Sequence, residues 1–168
     1  MSPISLRRFL ALCGGLGAFL LPLALHAQRE KLDQDDLEFV ETAWPDAMKT
    51  YTGLRYVIER TGHGPLPKTG DLISVLYEGS LLSLYAKEGK PVPFDKSQDR
   101  EHPFKVRVGR SMVIEGWDEM LQLMRAGEKI TLIVPSEMAY GSRGQPPIIP
   151  RDAALVFTIE VLKIEHSE

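Results

Sequence analysis

The aromatic side chains are the residues of this chain whose types and positions suggest chemistry. Six of them lie at predicted strand ends or in loops rather than in the middle of a predicted core: Tyr77, Phe94, Phe104, Trp117, Tyr140 and Phe157. Taken singly, each is more often a packing residue than a binding residue. Taken together, they can line an apolar pocket that acts by its shape and by excluding water.

Other kinds of chemistry find no support in the residues. The sequence has no Gly-rich phosphate loop and no Gly-x-Ser-x-Gly motif, and its single cysteine, Cys13, excludes an intrachain disulfide and a multi-cysteine zinc site. Three histidines lack the spacing of metal ligands: His63, His102 and His166. Asp118 and Glu119 begin a predicted helix, where carboxylates are favourable, so we interpret them as structural. An enzyme with this sequence would work through shape, apolarity and backbone dipoles, without a nucleophile, metal or cofactor.

The composition is that of one globular domain with a short additional segment. Of the 168 residues, 43% are hydrophobic and 26% are charged, which is close to the average for folded proteins. The net charge is −3 and no basic tract stands out, which argues against binding to nucleic acid.

Five predicted strands and one predicted helix must position the aromatic residues. Three of the strands alternate in polarity, over 53–60, 71–79 and 103–109. Two more strong strands are predicted over 129–135 and 154–165. The predicted helix has apolar residues at i, i+3, i+4 and i+7, which are Trp117, Met120, Leu121 and Met124. Gly127 is expected to end it. The pattern predicts an α+β fold in which an antiparallel sheet wraps on a single helix. Long connections at 80–102 and 136–153 are typical of functional loops.

Residues 28–52 are charged and too short to form a domain. Asp35 or Asp36 is expected to cap a short helix that ends at Pro45, and a second turn is expected over 46–51. The apolar residues of that helix would be Leu37, Val40 and Trp44. We predict a partly helical lead-in that packs on the edge of the domain, and a monomer, because this segment is too weakly periodic to pair with a second copy.

Residues 1–27 have the features of a secretory signal peptide. They contain no acidic residue, and Arg7 and Arg8 precede an uncharged apolar run that ends before Ala27. We predict cleavage after Ala27 and export to the periplasm or the exterior, with no stable insertion in a membrane afterwards. The alternative is a retained signal anchor, since the apolar run is just long enough to span a bilayer.

Several strings resemble the FKBP-type peptidyl-prolyl cis-trans isomerases, in particular the exported bacterial members. They occur in the family's order and cover residues 53–165. The strings are VLYEG (75–79), PFDKS (93–97), PFKVRVG (103–109), VIEGWDEML (113–121), AYG (139–141), IIP (148–150) and LVFTIEVLKIE (155–165). The resemblance implies a five-stranded antiparallel sheet curled around one short helix, with an active pocket between them.

The resemblance also implies which residues form that pocket. Trp117 would be its floor, and its substrate-binding walls would be Tyr77, Phe94, Phe104, Val113, Ile149 and Phe157. The catalytic positions would be Asp95, the backbone N–H of Ile114 and the hydroxyl of Tyr140, with no metal and no cofactor. Two departures from the family stand beside the pocket: Gln145 replaces a frequent histidine, and the tract 80–93 is longer and is expected to extend a hairpin or to form a bulge.

The implied function is isomerisation of Xaa–Pro bonds during the folding of exported proteins. The implied partners are proline-containing unfolded or nascent polypeptides and immunosuppressant macrolides. The alternative is a chaperone or peptide-binding module with little turnover, which the altered Gln145 loop and the long 80–93 tract both leave open.

Overall fold

The computed structural model describes residues 29–167. The predicted signal peptide, with Cys13 and the cleavage point after Ala27, lies outside them. Among the residues that are described, no helix has the length and apolarity needed to cross a membrane.

Within residues 29–167, seven antiparallel strands form one open sheet. They are β1 (Met48–Lys49), β2 (Arg55–Arg60), β3 (Leu72–Leu81), β4 (Pro93–Ser97), β5 (Phe104–Arg107), β6 (Lys129–Val134) and β7 (Leu155–Glu165). The order across the sheet is β1-β2-β6-β7-β3-β4, and β5 also pairs with β3. Strand β3 is central because it pairs with β7 along one side, while β5 and β4 pair with successive parts of its other side.

The helix predicted from the apolar spacing packs on one face of this sheet as α3 (Glu115–Leu121). Strand side chains alternate between the two faces, so β7 turns every second residue toward α3: Leu155, Phe157, Ile159 and Val161. The approach is close, because a Cβ on Gly116 would lie 2.7 Å from Cγ1 of Val134. The predicted class, an antiparallel sheet on a short helix, is confirmed. The described residues form seven strands and three α-helices, however, and not the five strands and one helix that were predicted.

The boundaries of α3 differ from the prediction. The helix ends at Leu121 and not at Gly127. Gly127 has φ +80° and donates its N–H to the carbonyl of Val161, so it belongs to the turn that leads into β6. Met124 remains buried although it lies beyond the helix, which is why its spacing imitated a continued helix.

The lead-in packs α1 (Gln34–Ala43) on the opposite face of the sheet and adds β1 to its edge beside β2. Its cap is Asp33, whose carboxylate accepts the N–H of Asp36 at 2.8 Å, and not Asp35 or Asp36 as predicted. The predicted turn over 46–51 contains strand β1 instead. Val40 of α1 is fully buried against side chains of that face: Leu82, Ile133, Ala154 and Val156.

The long tract after β3 forms a helix, α2 (Leu82–Glu88), rather than an extended hairpin. Gly89 ends it in the left-handed conformation, at φ +66°, which glycine adopts without strain. Helix α2 contacts α1, β3 and β7. It therefore joins the lead-in to the end of the sheet from which β4 departs.

Candidate functional site

Trp117 lies in the first turn of α3 and stands at the centre of an aromatic group. Its side chain is only 4% exposed. Three rings meet it nearly at right angles, with centroid distances of 5.0 Å to Tyr77, 5.3 Å to Phe157 and 6.3 Å to Phe104. Edge-to-face contacts of this kind hold rings upright, so the three rings stand as walls around the indole.

The walls do not close over the indole. A cavity of about 240 Å³ lies between them, and its lining residues are Tyr77, Phe94, Asp95, Phe104, Met112, Val113, Ile114, Trp117, Tyr140 and Phe157. The structure thus brings nine of the ten predicted site residues together around one cavity. Met112 is the lining residue that the sequence reasoning missed.

The tenth residue, Ile149, is buried beside a neighbouring cavity of about 330 Å³. That cavity shares Phe94, Asp95 and Tyr140 with the first, and Gln145 and Ile148 also line it. Two backbone hydrogen bonds fix the loop that lines this second cavity. The N–H of Gln145 donates to the carbonyl of Ile149 at 2.8 Å, and the N–H of Ile149 donates to the carbonyl of Gln145 at 3.0 Å. Ile149 therefore supports the edge of the site rather than its floor.

A carboxylate orders one wall of the cavity. The hydroxyl of Tyr77, on β3, donates to Oδ2 of Asp95, on the adjacent strand β4, at 2.6 Å. Burial raises the pKa of Tyr77, and the hydrogen bond to Asp95 raises it further. Burial and, after it, the charge of Asp95 also raise the pKa of Tyr140. Both phenols therefore remain protonated donors at neutral pH.

Two further N–H donors at the site lack partners. Ile114 precedes α3, and its carbonyl accepts from the N–H groups of Trp117 and Asp118 at 3.0 Å each. Its own N–H has no acceptor within residues 29–167. Nε1 of Trp117 is buried and is likewise without a partner among those residues. The unpaired N–H of Ile114, beside an apolar cavity, can bind a carbonyl of an entering chain.

Asp118 fixes the loop that carries Val113 and Ile114. Its carboxylate accepts the N–H of Gly109 at 2.6 Å and that of Ser111 at 3.1 Å. The prediction of a structural role is confirmed, but the contact is with the preceding loop and not with the helix dipole alone. Ser111 has φ +52°, and these hydrogen bonds hold it in that conformation.

Gly79 makes room for two of the rings. A Cβ at this position of β3 would lie 2.5 Å from Cε1 of Phe157 and 3.1 Å from Cζ of Phe94. Those two rings meet edge to face at 6.0 Å. The signal in the sequence was a glycine inside a predicted strand, which often marks a close approach.

The residues that could hold a metal do not assemble. Within residues 29–167, no group of three or more His, Cys, Asp and Glu side chains is placed to bind a metal ion. His102 contacts Asp99 at 2.9 Å, and His166 contacts the buried Asp71 at 2.6 Å. Both histidines therefore have structural partners away from the cavity.

Sequence comparisons with known proteins match this chain to one family. Residues 64–162, more than half of the chain, match the sequence model of the family described as FKBP-type peptidyl-prolyl cis-trans isomerase. FK506-binding protein 1 of Eremothecium gossypii is 44% identical over 98 residues, which are 58% of this chain and 80% of that protein. The human peptidyl-prolyl cis-trans isomerase FKBP2 is 43% identical over 111 residues, which are 66% of this chain and 73% of that protein.

Two bacterial crystal structures share the fold. A peptidyl-prolyl cis-trans isomerase of Pseudomonas syringae superposes with a TM-score of 0.65 at 30% identity, covering 78% of this chain and 91% of its own. FkpA of Escherichia coli superposes with the same score at 34% identity, covering 80% of this chain and 59% of its own. The chain belongs to the FKBP family of peptidyl-prolyl cis-trans isomerases, the enzymes that rotate Xaa–Pro bonds.

Proposed function

We propose that this protein rotates Xaa–Pro bonds of unfolded or nascent exported polypeptides in the cavity above Trp117, without a cofactor. The observation that carries the proposal is an open apolar cavity of about 240 Å³ among upright aromatic rings, with proton donors at its margin. Membership of the family supports the reaction, and the open cavity supports the choice of this site for it.

The chemistry needs no acid, base or nucleophile. Rotation about the peptide bond meets a barrier of about 18–20 kcal/mol because resonance stiffens the planar amide. The planar amide is charge-separated, and the twisted amide has lost much of that separation. A cavity that removes water therefore disfavours the planar form relative to the twisted one. Every ~1.4 kcal/mol removed from the barrier raises the rate tenfold.

Each polar group has a positioning role in this mechanism. The N–H of Ile114 and the hydroxyl of Tyr140 bind carbonyls of the substrate and hold the chain on either side of the twisting bond. Asp95 acts through Tyr77, since its carboxylate accepts the Tyr77 hydroxyl at 2.6 Å and so fixes that wall.

Exchange NMR on a short Xaa–Pro peptide tests the proposal with a matched pair of variants. We expect Trp117→Ala to lower kcat/KM about tenfold or more, because the floor of the cavity is lost. Trp44→Ala makes the same change in the aromatic group under α1, and we expect it to leave kcat/KM of the folded protein within about twofold. A wild-type protein that exchanges the peptide no faster than buffer, or equal effects of the two variants, would contradict the proposal.

The same cavity is proposed to bind the macrolide FK506. Relatives of 44% identity are named for that ligand, and this chain has nine of the expected site residues around the cavity. A titration that follows the fluorescence of Trp117 in a Trp44→Phe protein measures the binding. Unchanged fluorescence at saturating FK506, together with full isomerase activity, would show that the macrolide does not share the site.

Export after cleavage behind Ala27 is proposed from the sequence of residues 1–27. The structure is compatible with this cut, because Glu30 already contacts Lys49 and Arg55 and belongs to the folded part. Mass spectrometry of the exported protein should give the mass of a chain that begins at Gln28. Recovery of the intact chain in the membrane fraction would favour the retained anchor.

A monomer is proposed because α1 buries its apolar side against its own sheet. Val40 is fully buried there and is therefore not free to pair with another copy. Light scattering during gel filtration should give the mass of one chain, and the mass of two chains would contradict the proposal.

A chaperone activity is the second candidate, and exposed apolar side chains around the site favour it. Met112 is 62% exposed and Ile148 55% exposed at the margins of the two connected cavities. Such a margin can hold an unfolded chain without rotating it. If so, suppression of aggregation of an unfolded client survives Asp95→Ala and Phe157→Ala. Loss of suppression in parallel with turnover would exclude an independent chaperone role.

A further inference from the structure

Met112 combines two properties that no other methionine in residues 29–167 has. Its side chain lines the cavity above Trp117, and it is 62% exposed to solvent. Met48 is 41% exposed but belongs to strand β1, away from the cavity. The remaining methionines are at most 2% exposed and lie in the core: Met120, Met124 and Met138.

We propose that Met112 is an oxidation site through which peroxides lower the isomerase activity, an inference that rests on the proposed function. In the step, the thioether sulfur attacks a peroxide oxygen, the O–O bond breaks and an S–O bond forms. The sulfur loses two electrons and becomes a sulfoxide. The second peroxide oxygen departs with those electrons as hydroxide, takes the proton of the transferred oxygen and leaves as water. The product is reversible by methionine sulfoxide reductases.

Exposure directs the reaction to this residue. Peroxides reach sulfur atoms through solvent, so the buried methionines around α3 are protected. Thiols, which usually react first, are absent from residues 29–167, since the single cysteine of the chain is Cys13. Met112 is therefore the most exposed methionine of the described structure, and Met48 is the next.

The position makes the reaction consequential. A sulfoxide is polar and retains water, whereas the proposed mechanism depends on a dry cavity. Its oxygen is also a hydrogen-bond acceptor, and it would stand two residues from Ile114, whose N–H is unpaired and is assigned to a substrate carbonyl. Oxidation thus acts on both the desolvation and the binding of the substrate, whereas Met48 can affect neither.

Stepwise treatment of the purified protein with hydrogen peroxide tests the inference. Peptide mass spectrometry gives the oxidised fraction of each methionine, and exchange NMR on an Xaa–Pro peptide gives kcat/KM. We expect kcat/KM to fall about tenfold in step with the sulfoxide fraction at Met112, and to recover after treatment with methionine sulfoxide reductases.

Two leucine variants locate the effect, each compared with its own untreated activity. Met112→Leu should keep its activity after the treatment, whereas Met48→Leu should lose as much as the wild type. Full oxidation of Met112 with unchanged kcat/KM, oxidation of Met48 ahead of Met112, or equal losses in both variants would overturn the inference. Absence of activity before any treatment would instead remove the proposed function, and the inference with it.

Discussion

Two groups of aromatic rings lie on opposite faces of one sheet, and one of them lines an open cavity. The pocket cluster consists of Tyr77, Phe94, Phe104, Trp117 and Phe157, with contacting ring centroids 5.0–6.3 Å apart. The lead-in cluster consists of Phe39, Trp44 and Tyr85, with centroids 5.3–6.2 Å apart. The centroid distances are therefore similar, although two ring pairs of the lead-in cluster are more tilted, at 50° and 62°. Ring spacing alone does not identify a site.

What separates the clusters is how the space between the rings is used. Aliphatic side chains fill the lead-in side: Leu32, Val40, Leu82, Ile133, Ala154 and Val156. The pocket side keeps about 240 Å³ open and places unpaired donors and a carboxylate around it. The comparison teaches that an open cavity with polar groups at its edge distinguishes the candidate site. Rings packed against aliphatic side chains, as in the lead-in cluster, stabilise the fold instead.

Helix α2 connects the two clusters. Leu82 and Tyr85 belong to the lead-in side, while Leu84 packs on the core that contains Trp117. Strand β4, with Phe94 and Asp95, follows directly after α2. Substitutions on the lead-in side should therefore cost stability first, and should reach the pocket only if α2 moves.

The largest expected effect comes from truncating a buried side chain on the lead-in side of the sheet. Ile133 is fully buried under α1, and Ile133→Ala should lower the free energy of unfolding by about 2–5 kcal/mol through lost burial and a residual cavity. Urea denaturation measures the loss. Isomerase activity per folded molecule should stay within about twofold of the wild type. A larger drop in activity would show that the two faces are coupled and would break the comparison.

A substitution on the pocket side should lower the activity and leave the stability nearly unchanged. Asp95→Ala removes the acceptor of the Tyr77 hydroxyl, and we expect kcat/KM to fall about ten- to one-hundredfold, as for loss of a hydrogen bond to a charged group. Stability should change by less than about 1 kcal/mol, because Asp95 is exposed. Asp95→Asn, which keeps an acceptor oxygen, should recover part of the activity. An unchanged rate in Asp95→Ala would show that the Tyr77 wall needs no anchor.

Local pattern predicted the fold wherever burial and polarity agreed. Strands β2, β3, β5, β6 and β7 were all predicted, from alternating polarity or from runs of β-forming residues. Strand β4 was not predicted as a strand, because Asp95 and Lys96 have low strand propensity and pairing with Gly79 and Glu78 of β3 makes it one. Helix α2 was missed for a similar reason: its seven residues depend on packing against α1, which the sequence pattern does not show.

The site was predictable as a set of residues and not as a geometry. Ordered motifs named nine residues that now surround one cavity, but no spacing rule places Met112 at its mouth. Gly79 and Asp118 were visible in the sequence, yet their contacts with Phe157 and with the Gly109 and Ser111 N–H groups depend on tertiary structure. Loops fix these contacts, and loop conformation is the part that local pattern specifies least.

The stability that the lead-in contributes should depend on pH in the acid range, through Glu30. Burial would raise the pKa of Glu30, but hydrogen bonds from Lys49 and the Leu32 N–H outweigh it, and the pKa falls from 4.5 to about 2. The unfolded chain then binds the proton first, so this stability is present above pH 4.5 and is lost as the pH falls toward 2. We expect the loss to be about 1–2 kcal/mol after screening by solvent.

The variant Glu30→Gln should flatten that part of the pH–stability curve measured by urea denaturation. Glu38→Gln, on the exposed side of α1, is the matched control and should leave the curve unchanged. Equal curves for Glu30→Gln and the wild type would show that the contacts of Glu30 with Lys49 and Arg55 do not hold the lead-in.

An alkaline titration should reveal the pocket side in the same way, with a smaller effect. Burial and the hydrogen bond to Asp95 raise the pKa of Tyr77 above its usual 10, so above pH 10 the unfolded chain loses this proton before the folded one. The stability that Tyr77 contributes is therefore complete below pH 10 and declines as the pH rises further, by at most about 1.4 kcal/mol per pH unit for one proton. Tyr77→Phe should make the decline shallower, whereas Tyr51→Phe, at a side chain that is 85% exposed, should not. If both variants follow the wild-type curve between pH 10 and 11, Tyr77 is not held as a buried donor, and the ordered wall that distinguishes the pocket cluster from the lead-in cluster is lost.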